Sequence, residues 1–361
     1  MNRLARIPSL PVWRLNWKPA HIRTLRLSLG VTLAMAIAQA FAWPLAFITP
    51  VLTTSFMNGN KPCPGLKQGI SLLIVIVLAC IAGLTISWFL IDYPVICMLV
   101  IGVALMNIFY LNSGGFSPFL VVLLLICCTL LPLLAQQSFG LSLLVAFGLL
   151  FAALLALLIN WLLHGLLPDN DITEQQIENA DALEVQEGKP VAQRVKMTLT
   201  SLIAVMPVVL IVFTMELTNS ALIMIFAVML AQNPDLQTGY KGCLALIVGN
   251  TLGGIVAGVI FSMLIFVPSY GFMLMLTFIV ASLCAQTAFS DHKLSPLAGM
   301  VLSTVVLLVG SALLSADATA LEKFVTRILQ ILTLTLYIVG AFSLASMDFS
   351  KAFTKIGLKK S

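Results

Sequence analysis

Six basic residues recur at matching places in the two halves of this 361-residue chain: Arg23, Arg26 and Lys67, then Arg194, Lys196 and Lys241. Cationic groups gathered at one mouth of an apolar protein attract small anions over long range. Lys67 and Lys241 each precede a long apolar run, and Arg26 and Lys196 sit at the start of another. These four are the candidate anion-binding cations. Anchoring of helix ends explains Lys67 and Lys241 equally well, and Arg23 and Arg194 better.

A second candidate set is uncharged. Thr53, Thr54 and Asn58 flank a short apolar segment in the first half, and Asn233 follows a short segment in the second. Backbone at a helix break, joined by amides and hydroxyls, can hold a carboxylate without a fixed positive charge. Ordinary helix capping is the alternative for Asn58 and Asn233. The third set is Gly249-Asn250-Thr251-Leu252-Gly253-Gly254, followed by Gly258. Gly249 with Gly253, and Gly254 with Gly258, have the spacing of closely packed membrane helices. Such a helix can also present Asn250 and Thr251 to a cavity.

Catalytic chemistry is not indicated. The chain has no H-E-x-x-H, no paired acids within a span, no nucleophile elbow and no Walker loop, so the expectation is a protein that is not an enzyme. Its seven cysteines lack metal-type spacing and read as packing residues, with no metal or cofactor implied. Asp92, Glu216, Asp235 and Asp291 fall near segment ends, so no proton-coupling residue stands out.

The elements that must position these groups are membrane helices. Hydrophobic residues make up 60% of the chain and charged ones only 9%, with a mean hydropathy of +1.08. A soluble protein of this size needs far more polar surface. Proline- and glycine-rich breaks divide the chain into twelve segments: 25–43, 45–57, 69–90, 94–111, 117–134, 141–166, 195–215, 220–232, 241–266, 270–288, 296–314 and 326–346. The second of each six is short, against about 20 residues for a full crossing. Paired short segments at corresponding places point to a transporter's binding region, which both should line.

The expected fold is an all-α polytopic membrane protein of about 12 segments in two parallel six-segment repeats. The predicted organisation is an interfacial leader over 1–24, repeats over 25–166 and 194–346, an acidic cytoplasmic linker over 167–193, and a basic tail over 347–361. Local matches support duplication: Arg26-Leu27-Ser28-Leu29 with Lys196-Met197-Thr198-Leu199, Gly65-Leu66-Lys67 with Gly239-Tyr240-Lys241, and Ser117-Pro118-Phe119 with Ser295-Pro296-Leu297. With a cytoplasmic N-terminus and every segment crossing, all of the 19 Lys and Arg residues except Lys323 and Arg327 face the cytoplasm. The net charge of +5 is thus an orientation signal and implies no nucleic-acid partner. Membrane lipid is the expected surrounding.

In the cationic approach to the first span, the short second segment, the basic residue before the third span, and Gly249, Thr251 and Gly253 within it, the chain resembles the fusaric-acid-resistance and aromatic-acid-exporter (FUSC-like) superfamily. The resemblance covers most of residues 20–345. It implies a bacterial inner-membrane exporter of small organic acids, aromatic carboxylates foremost, driven by the proton-motive force. Such exporters work with a periplasmic adaptor (a membrane fusion protein) and an outer-membrane channel. The first-half third span lacks the Gly-Thr element, and the large cytoplasmic domains of longer members are absent. A passive organic-anion channel is the alternative, and a membrane scaffold without transport the remoter one.

Overall fold

The structure, a computed structural model, describes residues 19–43, 45–58, 63–90, 93–114, 118–168, 190–215, 240–290, 295–313 and 320–346, with Met224, Ala227 and Ala231 singly. Among these residues all regular structure is helical. The helices are α1 (Pro19–Phe41), α2 (Ile48–Met57), α3 (Leu66–Leu90), α4 (Pro94–Ser113), α5 (Pro118–Ala135), α6 (Phe139–Leu166), α7 (Val191–Thr214), α8 (Tyr240–Phe266), α9 (Tyr270–Ala288), α10 (Ser295–Leu313) and α11 (Ala320–Ser346).

Seven of them (α1, α3, α4 and α6 to α9) carry stretches long and apolar enough to cross a bilayer, which gives the chain multi-pass membrane character. Most are apolar on every side, as lipid-embedded helices must be, and their backbone polar groups are satisfied within the helix. Hydroxyls inside the helices, α2 and α5 included, follow the same rule: Thr24, Thr32, Thr53, Thr54 and Thr129 each donate to the carbonyl one turn earlier. With ten residues, α2 spans about 15 Å, roughly half the hydrocarbon thickness. α1 begins at Pro19 rather than near residue 25, because proline suits the first helical position and arginine is a good helix former.

Ala42 and Leu45, between α1 and α2, adopt left-handed conformations with φ of 46° and 61°. Neither is glycine, so this tight reversal carries strain of about 1 kcal/mol or more per residue. It places α2 back along α1.

The chain forms two compact units, each drawn from separated stretches of sequence. Unit 1 comprises Met1–Ile70, Phe151–Asp181 and Gly253–Ala320; unit 2 comprises Ser71–Leu150, Ala182–Leu252 and Leu321–Ser361. In unit 1, α1 packs on α2, α9 and α10, while α10 also packs on α2 and α9. The Tyr270 hydroxyl donates to Ala36 O at 2.6 Å and Gln39 Nε2 to Gly310 O at 3.3 Å, tying α9 and α10 to α1. Gly310 lets α10 close on Phe47.

In unit 2, α4 packs on α5 and α7. Gly83 of α3 lies directly on the Cys127 carbonyl of α5, and the Cys80 and Cys127 sulfurs stand 3.6 Å apart. The side chain of Ser142 donates to Leu131 O, and Gln136 to Phe213 O. Met224, Ala227 and Ala231 are helical and buried, a spacing that occupies one helix face. Ser201 of α7 donates to Ala231 O.

Candidate functional site

Arg26, Thr53, Thr54, Asn58 and Lys67 all belong to unit 1. Arg26 stands about two turns into α1 and is only 2% exposed. A cation inside a membrane helix bundle is costly, and positions that retain one are usually functional. Its charge reaches Cys63 in the α2–α3 connection. Burial pushes that thiol up to about 11, and the nearby guanidinium opposes the rise.

The register around Arg26 follows from contacts one turn further along α1. There Gly30 meets both Met57 of α2 and Leu163 of α6. At the far end of α1, the Trp43 ring stacks edge-on with Phe151 of α6 at 4.9 Å. These two pairs make α1 and α6 antiparallel, with α2 running beside α6. One turn back from Met57 and Leu163 stand Thr53, Thr54 and Asn160, all buried. Both threonine hydroxyl protons are spent on backbone carbonyls, leaving oxygen lone pairs as their free capacity. Asn160 is 0% exposed, and among the described residues neither its Nδ2 nor its Oδ1 has a hydrogen-bond partner.

Asn58 caps the end of α2, its N–H donating to Thr54 O at 2.8 Å, and its amide lies against Gly299 of α10. Lys67 is exposed on the first turn of α3. The start of α3 is held by Trp161, whose indole donates to Pro64 O at 2.8 Å and packs on Gly69.

A second polar region of unit 1 is an open cleft of about 720 Å³ between the start of α1 and the end of α9. His21, Thr24, Ser28, Ser282, Gln286 and Ser290 contribute its polar lining, with Leu25 and Phe289 as apolar walls. Sequence reasoning missed both this cleft and Asn160. The signal for Asn160 was present, a lone amide inside the apolar run from Ala152 to Leu163.

The remaining candidates lie elsewhere. Lys196 is exposed on α7. Asn250 is buried in unit 2 and donates to Thr335 Oγ1 at 3.2 Å, while Thr251 donates to its own Ile247 O. Gly253 sits on Thr304 and the Val301 carbonyl of α10. Gly249 and Gly254 are buried and Gly258 half-buried on the same helix. Asn233, the side chain of Lys241, Asp92, Glu216, Asp235, Asp291, residues 1–18 of the leader, the linker centre and the tail lie outside the described residues. Among the described residues no group of three His, Cys, Asp or Glu side chains could hold a metal.

The buried Arg26 guanidinium can attract and orient an anion. No curated protein and no solved structure matches the chain. One family does, described as a protein of unknown function (DUF2955), and it covers residues 23–163, from the first turns of α1 to the last of α6.

Proposed function

We propose that this chain is a bacterial inner-membrane transporter exporting small organic acids, aromatic carboxylates foremost, driven by the proton-motive force and working with a periplasmic adaptor. The observation that carries the reading is Arg26, a guanidinium enclosed in unit 1 one turn from the α1–α2–α6 meeting point. An anion passing such a group exchanges hydration for a charge-assisted hydrogen bond.

The proposed duplication has support from the composition of the units. Unit 1 joins α1 and α2, the first two segments of one half, to α9 and α10, the fourth and fifth of the other. Unit 2 joins α7 and the helical residues Met224, Ala227 and Ala231 to α4 and α5, the reciprocal selection. Two parallel six-segment repeats predict that reciprocity, with both termini cytoplasmic by the positive-inside rule.

The test is efflux of a radiolabelled benzoate from cells with and without the protein. Arg26→Gln should cut the protein-dependent rate about tenfold at matched abundance, and Arg26→Lys should restore part of it. Equal efflux with and without the protein, across aromatic and aliphatic carboxylates, would sink the exporter reading. Current that persists without a proton gradient would convert it to a channel.

A further inference from the structure

Two fully buried polar side chains of unit 1 have hydrogen-bonding capacity that no described residue takes up. Among the described residues, neither amide atom of Asn160 has a partner, nor does the hydroxyl of Thr49 on α2. An amide can donate twice and accept twice, so Asn160 forgoes all of its side-chain bonds. In a membrane protein the penalty is severe, because an apolar residue of similar size would fit at no such cost. Its neighbours on the buried side of the same helix are apolar: Ala153, Ala156 and Leu157 are each 0% exposed.

The position is as informative as the chemistry. On α6, Asn160 lies between Leu163, which faces Gly30, and Trp161, which faces Gly69. At the same level α2 presents Thr53 and Thr54, with Thr49 one turn beyond. Toward the other end, the His164 ring donates through Nδ1 to the Asn160 carbonyl at 2.8 Å, and Arg26 lies a turn from Gly30. Buried polar groups therefore lie within about two turns of the point where α1, α2 and α6 meet at Gly30, a region that forms a seam.

We propose that this seam holds bound water, with the Asn160 amide as its central site and the Thr49 hydroxyl as a second. Water is the ligand that fits. The amide atoms are sealed from the surface, so their partner is small, and water both donates and accepts as the amide requires. The small void beside Met35 is the contrast within the same unit. Its volume is about 10 Å³, and its lining is Ile260, Leu302, Val305, Val306 and Val309 with Thr277, whose proton is already given to Met273 O. An apolar void of that size stays dry. A hydrated seam is also the route a proton would take through unit 1, a consequence that rests on the exporter reading.

Radiolytic hydroxyl-radical footprinting of the purified protein in nanodiscs reads bound water directly. Met57, in contact with the seam, and Met35, beside the dry void, are both almost fully buried and chemically identical reporters. Met57 should oxidise at least about fivefold faster than Met35, since radicals form where water is held. Asn160→Leu should bring the two rates together. Equal protection of Met57 and Met35 in the wild-type protein would overturn the proposal, as would an unchanged ratio in a folded Asn160→Leu variant. If that variant does not fold, the wild-type ratio still decides. No substrate enters the measurement, so absent efflux would sink the transport reading and leave this one standing.

Discussion

The α1–α9 junction in unit 1 and the α7–α4 junction in unit 2 are counterparts under the proposed duplication, yet they end differently. In unit 2, the Arg194 guanidinium lies over the Tyr110 ring at 4.1 Å, donates to the Tyr110 carbonyl at 3.1 Å and packs on Gly114. That corner is closed by a cation–π contact and a charge-assisted hydrogen bond. Aligning Arg26-Leu27-Ser28 with Lys196-Met197-Thr198 puts Thr24 where Arg194 stands. Counted from the helix starts at Pro94 and Tyr270, Gln286 takes the place of Tyr110. Neither replacement can make the seal, and unit 1 has an open polar cleft there instead. Similar helix pairings have been finished for different purposes: a fixed corner in one unit and an accessible one in the other.

Close packing is where the units agree, and breaking it has the largest expected effect. Gly83 and Gly253 each bring a third segment onto a fifth. A β-carbon at Gly83 would collide with the Cys127 backbone carbonyl, whereas at Gly253 it would first meet the Thr304 side chain at 2.7 Å. Gly83→Ala should therefore cost about 3 kcal/mol and Gly253→Ala about half that, since backbone yields less than side chain. Reversible unfolding in SDS measures both; equal losses would mean that the two packings are not graded as the geometry states.

Next in size is the seal itself. Arg194→Ala should destabilise by about 2 kcal/mol, combining a lost cation–π contact with a lost charge-assisted bond. Arg194→Lys should recover less than half, because an ammonium cannot stack as a guanidinium does. The smallest change sharpens the contrast. Thr24→Arg with Gln286→Tyr copies the seal into unit 1 and should gain about 1 kcal/mol by the same unfolding measurement. A loss of stability would show that the cleft cannot accept the contact.

Much of the helix layout was legible in the sequence because the breaks have local chemical causes. Pro94, Pro118 and Pro190 set helix starts, and 270–288 was recovered to the residue. Which helices pair was not legible. A soluble helix announces its buried face by an apolar stripe, and helices apolar all round have none. Arg26, Thr53 and Thr54 could be singled out because a charge or hydroxyl pair stands out at a segment end. Asn160 could not be weighed without knowing that α6 turns it inward, between Leu163 and Trp161. Thr24 and Gln286 are ordinary residues whose meaning depends on the helix opposite.

Trp161 turns the α2–α3 connection into something that can be watched by light. Its indole N–H is given to Pro64 O and its ring rests on Gly69, so its emission is set by that connection's position. The other tryptophans are Trp13, Trp17, Trp43 and Trp88. With phenylalanine at those four places, a single emitter remains, next in sequence to Asn160 and packed on Gly69, two residues from Lys67. Any ligand that shifts the end of α2 should then register as a change in emission wavelength or iodide quenching, in the intact chain and without an attached dye.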